Sequence, residues 1–277
     1  MKTKHRYSFY ADNKVVISFL GEHEIEYDKD GYVTVFDDNE RFNLINDFML
    51  SHNAWALTEA VYTREEIENA QWLRVGGWEN MYPQPQNEKG YIFTTYDTTN
   101  YCEGINDNKS IYYCEKGLVQ KEPFMLKKEP NWGPRNFMTL IWVSDELFIS
   151  RKAEEVLKSS NLTGFEIYDV WNKSKKTMEG IKQIFVKNYL PQGISADSIE
   201  TRYVCPKCNF TKYQPKIGTL HFHKKIFEGI QDDIVKTTDK FWEAPCDSLI
   251  LITHKFYEVV TNAKLDRGLV FEPVKLI

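Results

Sequence analysis

Five cysteines stand in a chain of 277 residues, and two of them, Cys205 and Cys208 in "YVCPKCNF", have the C-x2-C spacing that lets one tight loop point two thiolates at one metal ion. Such a pair is half of a tetrahedral site, so two more ligands are needed. The candidates are Cys102, Cys114, Cys246, His221 and His223. Cys102 and Cys114 bracket "EGINDNKSIYY", whose Gly, Asn, Asp and Ser content reads as an extended loop able to bring both thiols to one ion. His221 and His223 alternate along a strand and fit a solvent-facing edge better than a ligand pair, and Cys246, beside Pro245, fits a small buried apolar side chain. The preferred set is Cys102, Cys114, Cys205 and Cys208, which predicts a structural zinc: four thiolates close the tetrahedron and leave no position for a reactive water. That zinc would tie residues near 100 to residues near 205.

Other residues give little to catalysis. The chain has no G-x-S-x-G, H-E-x-x-H or P-loop pattern. Asp145 and Glu146 are expected just inside a helix start, where the helix dipole stabilises acids. "WGPRN", Trp132 to Asn136, reads as a turn with its indole on the core.

Forty acids against 35 bases give a formal charge of -5, spread along the chain, so no basic field marks a nucleic-acid partner. The short run "NKSKK", Asn172 to Lys176, is expected as a solvated turn. No apolar window reaches the length of a membrane span, and the basic start is followed by no signal-like apolar segment, which predicts a cytoplasmic protein. An odd number of cysteines fits metal ligands better than a disulfide framework.

The elements that must position the thiols read as α+β. In a mixed N-terminal portion, 1–125, "KVVISF" (Lys14 to Phe19) and "GYVTVF" (Gly31 to Phe36) alternate as strands, a helix follows near Phe42 to Leu50, and Thr63 with Glu66 has capping-box spacing. Tyr82 to Gly90 reads as loop. The C-terminal portion, 126–277, carries an internal echo: "EEVLKSSNLTGFEIYDV" lines up with "YEVVTNAKLDRGLVFEPV" once Arg267 is taken as an insertion. Two similar strand-helix-strand units, 140–170 and 249–274, are therefore predicted, with Ser144 and Thr253 starting the helices and Gly164 and Gly268 in the turns after them. The zinc knuckle lies between the units.

"YVCPKC" ahead of "ITHKFYEVVTNAKLDRGLVFEPV", with the upstream cysteine pair, "CEKGLVQKEPF" and "VSDELFISRKAEEVLKSSNLTGFEIYDV", resembles the bacterial double-CXXCG proteins over roughly residues 100 to 277. Some members of that group are immunity proteins. The resemblance implies two metal-binding knuckles, a partner toxin neutralised by complex formation, and no catalytic residue. Where the family has a glycine after the second cysteine of each knuckle, this chain has Glu115 and Asn209. The alternative expectation is a zinc-stabilised enzyme or small-molecule binder with its site in the N-terminal half.

Overall fold

The computed structural model describes residues 1–277 except 87–89, 103, 108–109, 113 and 243–246, with the backbone alone for 105–107 and 110–112. The chain forms an α+β protein in which strands predominate. It divides into two compact units, Met1–Ile67 with Ile217–Thr219, and Glu68–Lys216 with Leu220–Ile277. The boundary expected at 125 is thus replaced by one at 67/68. Its physical reason is the strand Trp72–Gly77, which sits between the strands Asp247–Thr253 and Leu269–Leu276 and so belongs to the C-terminal sheet.

In the first unit, Lys2–Ser8 lies between Tyr32–Phe36 and Trp55–Val61, antiparallel to both. The helices Lys14–Glu22 and Phe42–Ser51 contribute Val16, Leu20, Ile45 and Met49 to a core completed by Tyr7 and Val33. "GYVTVF" and the Phe42 helix fall where expected, but "KVVISF" is helix and not strand. Asn13 caps it, accepting from the Val16 amide at 3.2 Å, and Val16 and Leu20, four residues apart, bury one face. That i, i+4 pair outweighs the β-leaning Val-Val-Ile run, because packing overrides a weak local propensity. Thr63 and Glu66 form the expected capping box: the Thr63 amide donates to Glu66 at 2.8 Å and the Glu66 amide to Thr63 at 3.2 Å.

The second unit contains both copies of the sequence echo. Val143–Ile149, the helix Arg151–Ser159 and Phe165–Asn172 form the first; Asp247–Thr253, the helix His254–Asn262 and Leu269–Leu276 form the second. In each copy the two strands run parallel and flank one antiparallel strand. Ile184 of Thr177–Val186 has Leu147 on one side and Ile167 on the other, as Val75 of Trp72–Gly77 has Ile250 and Phe271. Each copy is therefore a split strand-helix-strand unit whose middle strand comes from elsewhere in the chain. Gly164 and Gly268 both take left-handed backbone, φ 96° and 99°. A side chain at Gly164 would also bring its Cβ within 2.3 Å of the Ile234 carbonyl.

Helix starts correct one expectation. Thr253 caps its helix by accepting from the Phe256 amide at 3.3 Å, but Ser150, not Ser144, caps the first copy, accepting from Ala153 at 3.3 Å. "LIWVS" is not one strand. Phe137–Leu140 turns back through Trp142, φ 69°, into Val143–Ile149, which places Ser144, Asp145 and Glu146 within a strand. The helix-dipole account of Asp145 and Glu146 falls with it.

Asn172–Lys176 is the expected exposed turn, between Phe165–Asn172 and Thr177–Val186. The Trp132 indole packs on the core around Phe124 and Phe148 and donates to the Gly180 carbonyl at 2.8 Å. Within Tyr82–Gly90, residues 87–89 lie outside the described residues, and the rest forms no strand or helix beyond a bridge from Gln84 to Met125. Among the described residues, no helix is long and apolar enough to cross a membrane.

Candidate metal centre and the cleft beside it

Two hairpin ends carry the thiols. Cys205 and Cys208 sit in the turn between the antiparallel strands Ile199–Val204 and Thr211–Pro215, closed by the Cys205 amide donating to Phe210 and the Asn209 amide donating to Cys205, both at 2.8 Å. Cys102 and Cys114 are drawn together by a bridge in which the Cys102 amide donates to Lys116 at 2.9 Å and the Glu115 amide donates to Cys102 at 3.1 Å. The segment between them, expected as an extended loop, contains the antiparallel pair Ile105–Asp107 and Ser110–Tyr112.

All four sulfurs lie within 4.8 Å of one another. Cys102 Sγ is 3.8 Å from Cys205 Sγ, and Cys114 Sγ is 3.4 Å from Cys208 Sγ. A tetrahedral ion with metal–sulfur bonds of about 2.3 Å requires sulfur–sulfur separations of about 3.8 Å, so the set fits such an ion with small adjustments. The thiols are reduced, three of them buried. Burial pushes the Cys102 and Cys114 thiols up. It works the same way on Cys205, but there the amides of Cys208 and Lys207 and the neighbouring thiols outweigh it and bring the thiol down to about 7. Cys102, Cys114, Cys205 and Cys208 could together hold a metal ion.

Neither histidine candidate joins the cluster: among the described residues, the metal-capable group includes neither His221 nor His223. His221 lies in the strand Leu220–Phe222, and His223 precedes a short 3₁₀ turn. Cys246 lies outside the described residues.

Glu115, Lys116 and Phe210, one or two residues beyond Cys114 and Cys208, help line a cleft of about 350 Å³. Asp145, Glu146, Lys240, Asp247 and Ser248 also line it, and Tyr91, Tyr96 and Trp142 add aromatic surface. Glu146 is buried and pairs with Lys236, itself 2 % exposed, and accepts from Gln183 at 3.0 Å. Burial would strip the Lys236 proton, but the Glu146 and Asp145 carboxylates outweigh it and hold this ammonium above the ordinary lysine range. Asp145 accepts from Lys240 at 3.4 Å and from the Ser248 amide at 3.3 Å. Asp247 accepts from the Ser144 hydroxyl, and burial, with the adjacent Asp145 charge, pushes its carboxyl up to about 8.

Sequence reasoning missed this carboxyl and lysine cluster. Its members lie far apart in sequence, in Val143–Ile149, Ile234–Phe241 and Asp247–Thr253, and only the polar runs "SDE" and "KTTDK" within otherwise apolar strands hint at polar groups inside a sheet. A comparison with known protein families finds no family model that matches the chain, and a comparison with curated proteins finds no matching relative.

Proposed function

We propose that this chain is a non-catalytic cytoplasmic protein of the immunity type, stabilised by a structural zinc on Cys102, Cys114, Cys205 and Cys208, that neutralises a cognate toxin by forming a complex with it. The carrying observation is the cluster of four thiols. Four sulfur donors at near-tetrahedral separations suit zinc, and they leave no position at which a metal-bound water could react. Free thiols on a globular chain also suit a reducing compartment. The split strand-helix-strand units, read as a duplicated pair, would supply the rigid body on which the knuckles and a binding surface are displayed.

A second reading, a zinc-stabilised small-molecule binder, is favoured by the cleft beside the knuckles, with its raised Asp247 and buried Glu146. The cleft spans residues 91 to 248 and so does not lie in the N-terminal half alone.

Elemental analysis of protein never exposed to chelator tests the zinc. About one zinc per chain is expected, lost together with thermal stability in Cys102→Ser and in Cys205→Ser. No metal in the wild type would overturn the zinc assignment. Titration calorimetry against the product of the adjacent gene tests the partner, with a one-to-one complex expected and no heat of binding as the contrary result.

A further inference from the structure

Among the described residues, carboxyl groups outnumber basic side chains in the cleft lining. Four carboxyl groups, Glu115, Asp145, Glu146 and Asp247, line it with two lysines, Lys116 and Lys240. Lys236, paired with Glu146, is a third cation next to this lining. Asp145 and Glu146 each meet a lysine, whereas the Asp247 carboxyl accepts from a hydroxyl and lies in the field of Lys240.

A second, independent feature belongs to the same lining. Ser248 lines the cleft, is 3 % exposed, and its hydroxyl has no hydrogen-bond partner among the described residues. A buried hydroxyl left without a partner is unfavourable, and a polar ligand in the cleft can supply one. Tyr91, Trp142 and Phe210 add ring surface, and rings beside carboxylates are the surroundings that hold an organic cation through its face and its charge together.

We propose that this cleft binds a single organic cation, an alkylguanidinium or alkylammonium group, with its charge on Asp247 and Asp145, one N–H on the Ser248 hydroxyl, and its apolar stem among Tyr91, Trp142 and Phe210. About 350 Å³ accommodates one such group and not a polymer. Burial and the Asp145 charge push the Asp247 carboxyl up, and a bound cation would favour its ionised form. The same chemistry is offered by a free amine and by an arginine or lysine side chain of a partner protein. This inference extends the reading of the chain as a binder and does not depend on the identity of the metal.

The test is titration calorimetry on the full chain, with metal content read on the same sample. The probes are agmatine as a free cation, acetyl-Gly-Arg-Gly-amide as a protein-borne one, and butylurea as a neutral isostere. One-to-one binding of at least one cation is expected, weakened at least roughly tenfold in Asp247→Asn, as loss of a charge-assisted contact predicts. Tighter binding of the peptide would identify a partner's side chain, and tighter binding of agmatine a free amine. Ser248→Ala, expected to weaken binding several-fold, serves if Asp247→Asn fails to fold. Butylurea binding as well as the cations, neither cation binding the metal-loaded wild type, or unchanged affinity in a folded variant would overturn the proposal. Failure of both cations while the adjacent gene product still binds would remove the cleft assignment and leave the complex-forming reading standing.

Discussion

Glu115 and Asn209 occupy equivalent places, one residue beyond Cys114 and Cys208, and share one left-handed backbone conformation, φ 56° and 57°. Asn visits that region readily, whereas a residue with a long side chain is strained there by about 1 kcal/mol or somewhat more. Glu115→Gly is therefore expected to raise the stability of the metal-loaded protein by up to about 1 kcal/mol, and Asn209→Gly to leave it nearly unchanged. Urea unfolding of the two variants checks the contrast. Equal effects would separate the backbone demands of the two knuckles.

Ser150 and Thr253 make the same cap in the two copies of the echo. Ala at either position should lower stability by about 1 kcal/mol. Ser144→Ala leaves the helix untouched and instead deprives Asp247 of its donor. Thermal melts of the three variants, with helical circular dichroism as the readout, distinguish a helix start from a strand residue.

How much of this was legible beforehand follows from the range of the interactions. Thr253, Gly164 and Gly268 are local signals, set by a hydroxyl before a helix or a glycine after one, and they stand where the sequence places them. The first-copy cap was misplaced because Ser144 and Ser150 both follow apolar runs, and only the reversal at Trp142 decides between them. The helix Lys14–Glu22 was misread because Val-Val-Ile alternation and an i, i+4 apolar pair coexist in six residues, and the sheet it packs on chooses the second. The four thiols could be grouped by chemistry alone. The carboxyl cluster could not, since Glu146 meets Lys236 ninety residues away in sequence, with no motif marking either.

Lys236→Met leaves the buried Glu146 without its counter-charge and should cost about 3–5 kcal/mol. Replacing both partners, Glu146→Leu with Lys236→Met, should recover most of that loss, because two desolvated charges give way to packed apolar groups. Chemical denaturation of the single and double variants measures the coupling. Additive losses would show that the pair is not the source.

Asp247 gives the stability a pH dependence of definite sign. Its carboxyl is raised from 3.8 to about 8 in the folded chain, so between those values the native state keeps a proton that the unfolded state has released. The stabilisation is fully present below about pH 4 and is lost as pH rises through about 8, with a slope of at most about 1.4 kcal/mol per pH unit. Asp247→Asn removes this term. Urea midpoints at several pH values across that window should fall less steeply for the variant than for the wild type, and parallel profiles would contradict the assignment.

The route by which the thiols meet also fixes when they meet. Cys102 and Cys205 touch across 103 residues of chain, so during synthesis the cluster cannot close until the second hairpin has left the ribosome. Until then only two of the four donors, Cys102 and Cys114, have been made, and the contact that completes the set is long-range, a kind that slows folding. A metal held there would thus be taken up after the first strand-helix-strand copy has been made and before the second, Asp247–Leu276, is complete.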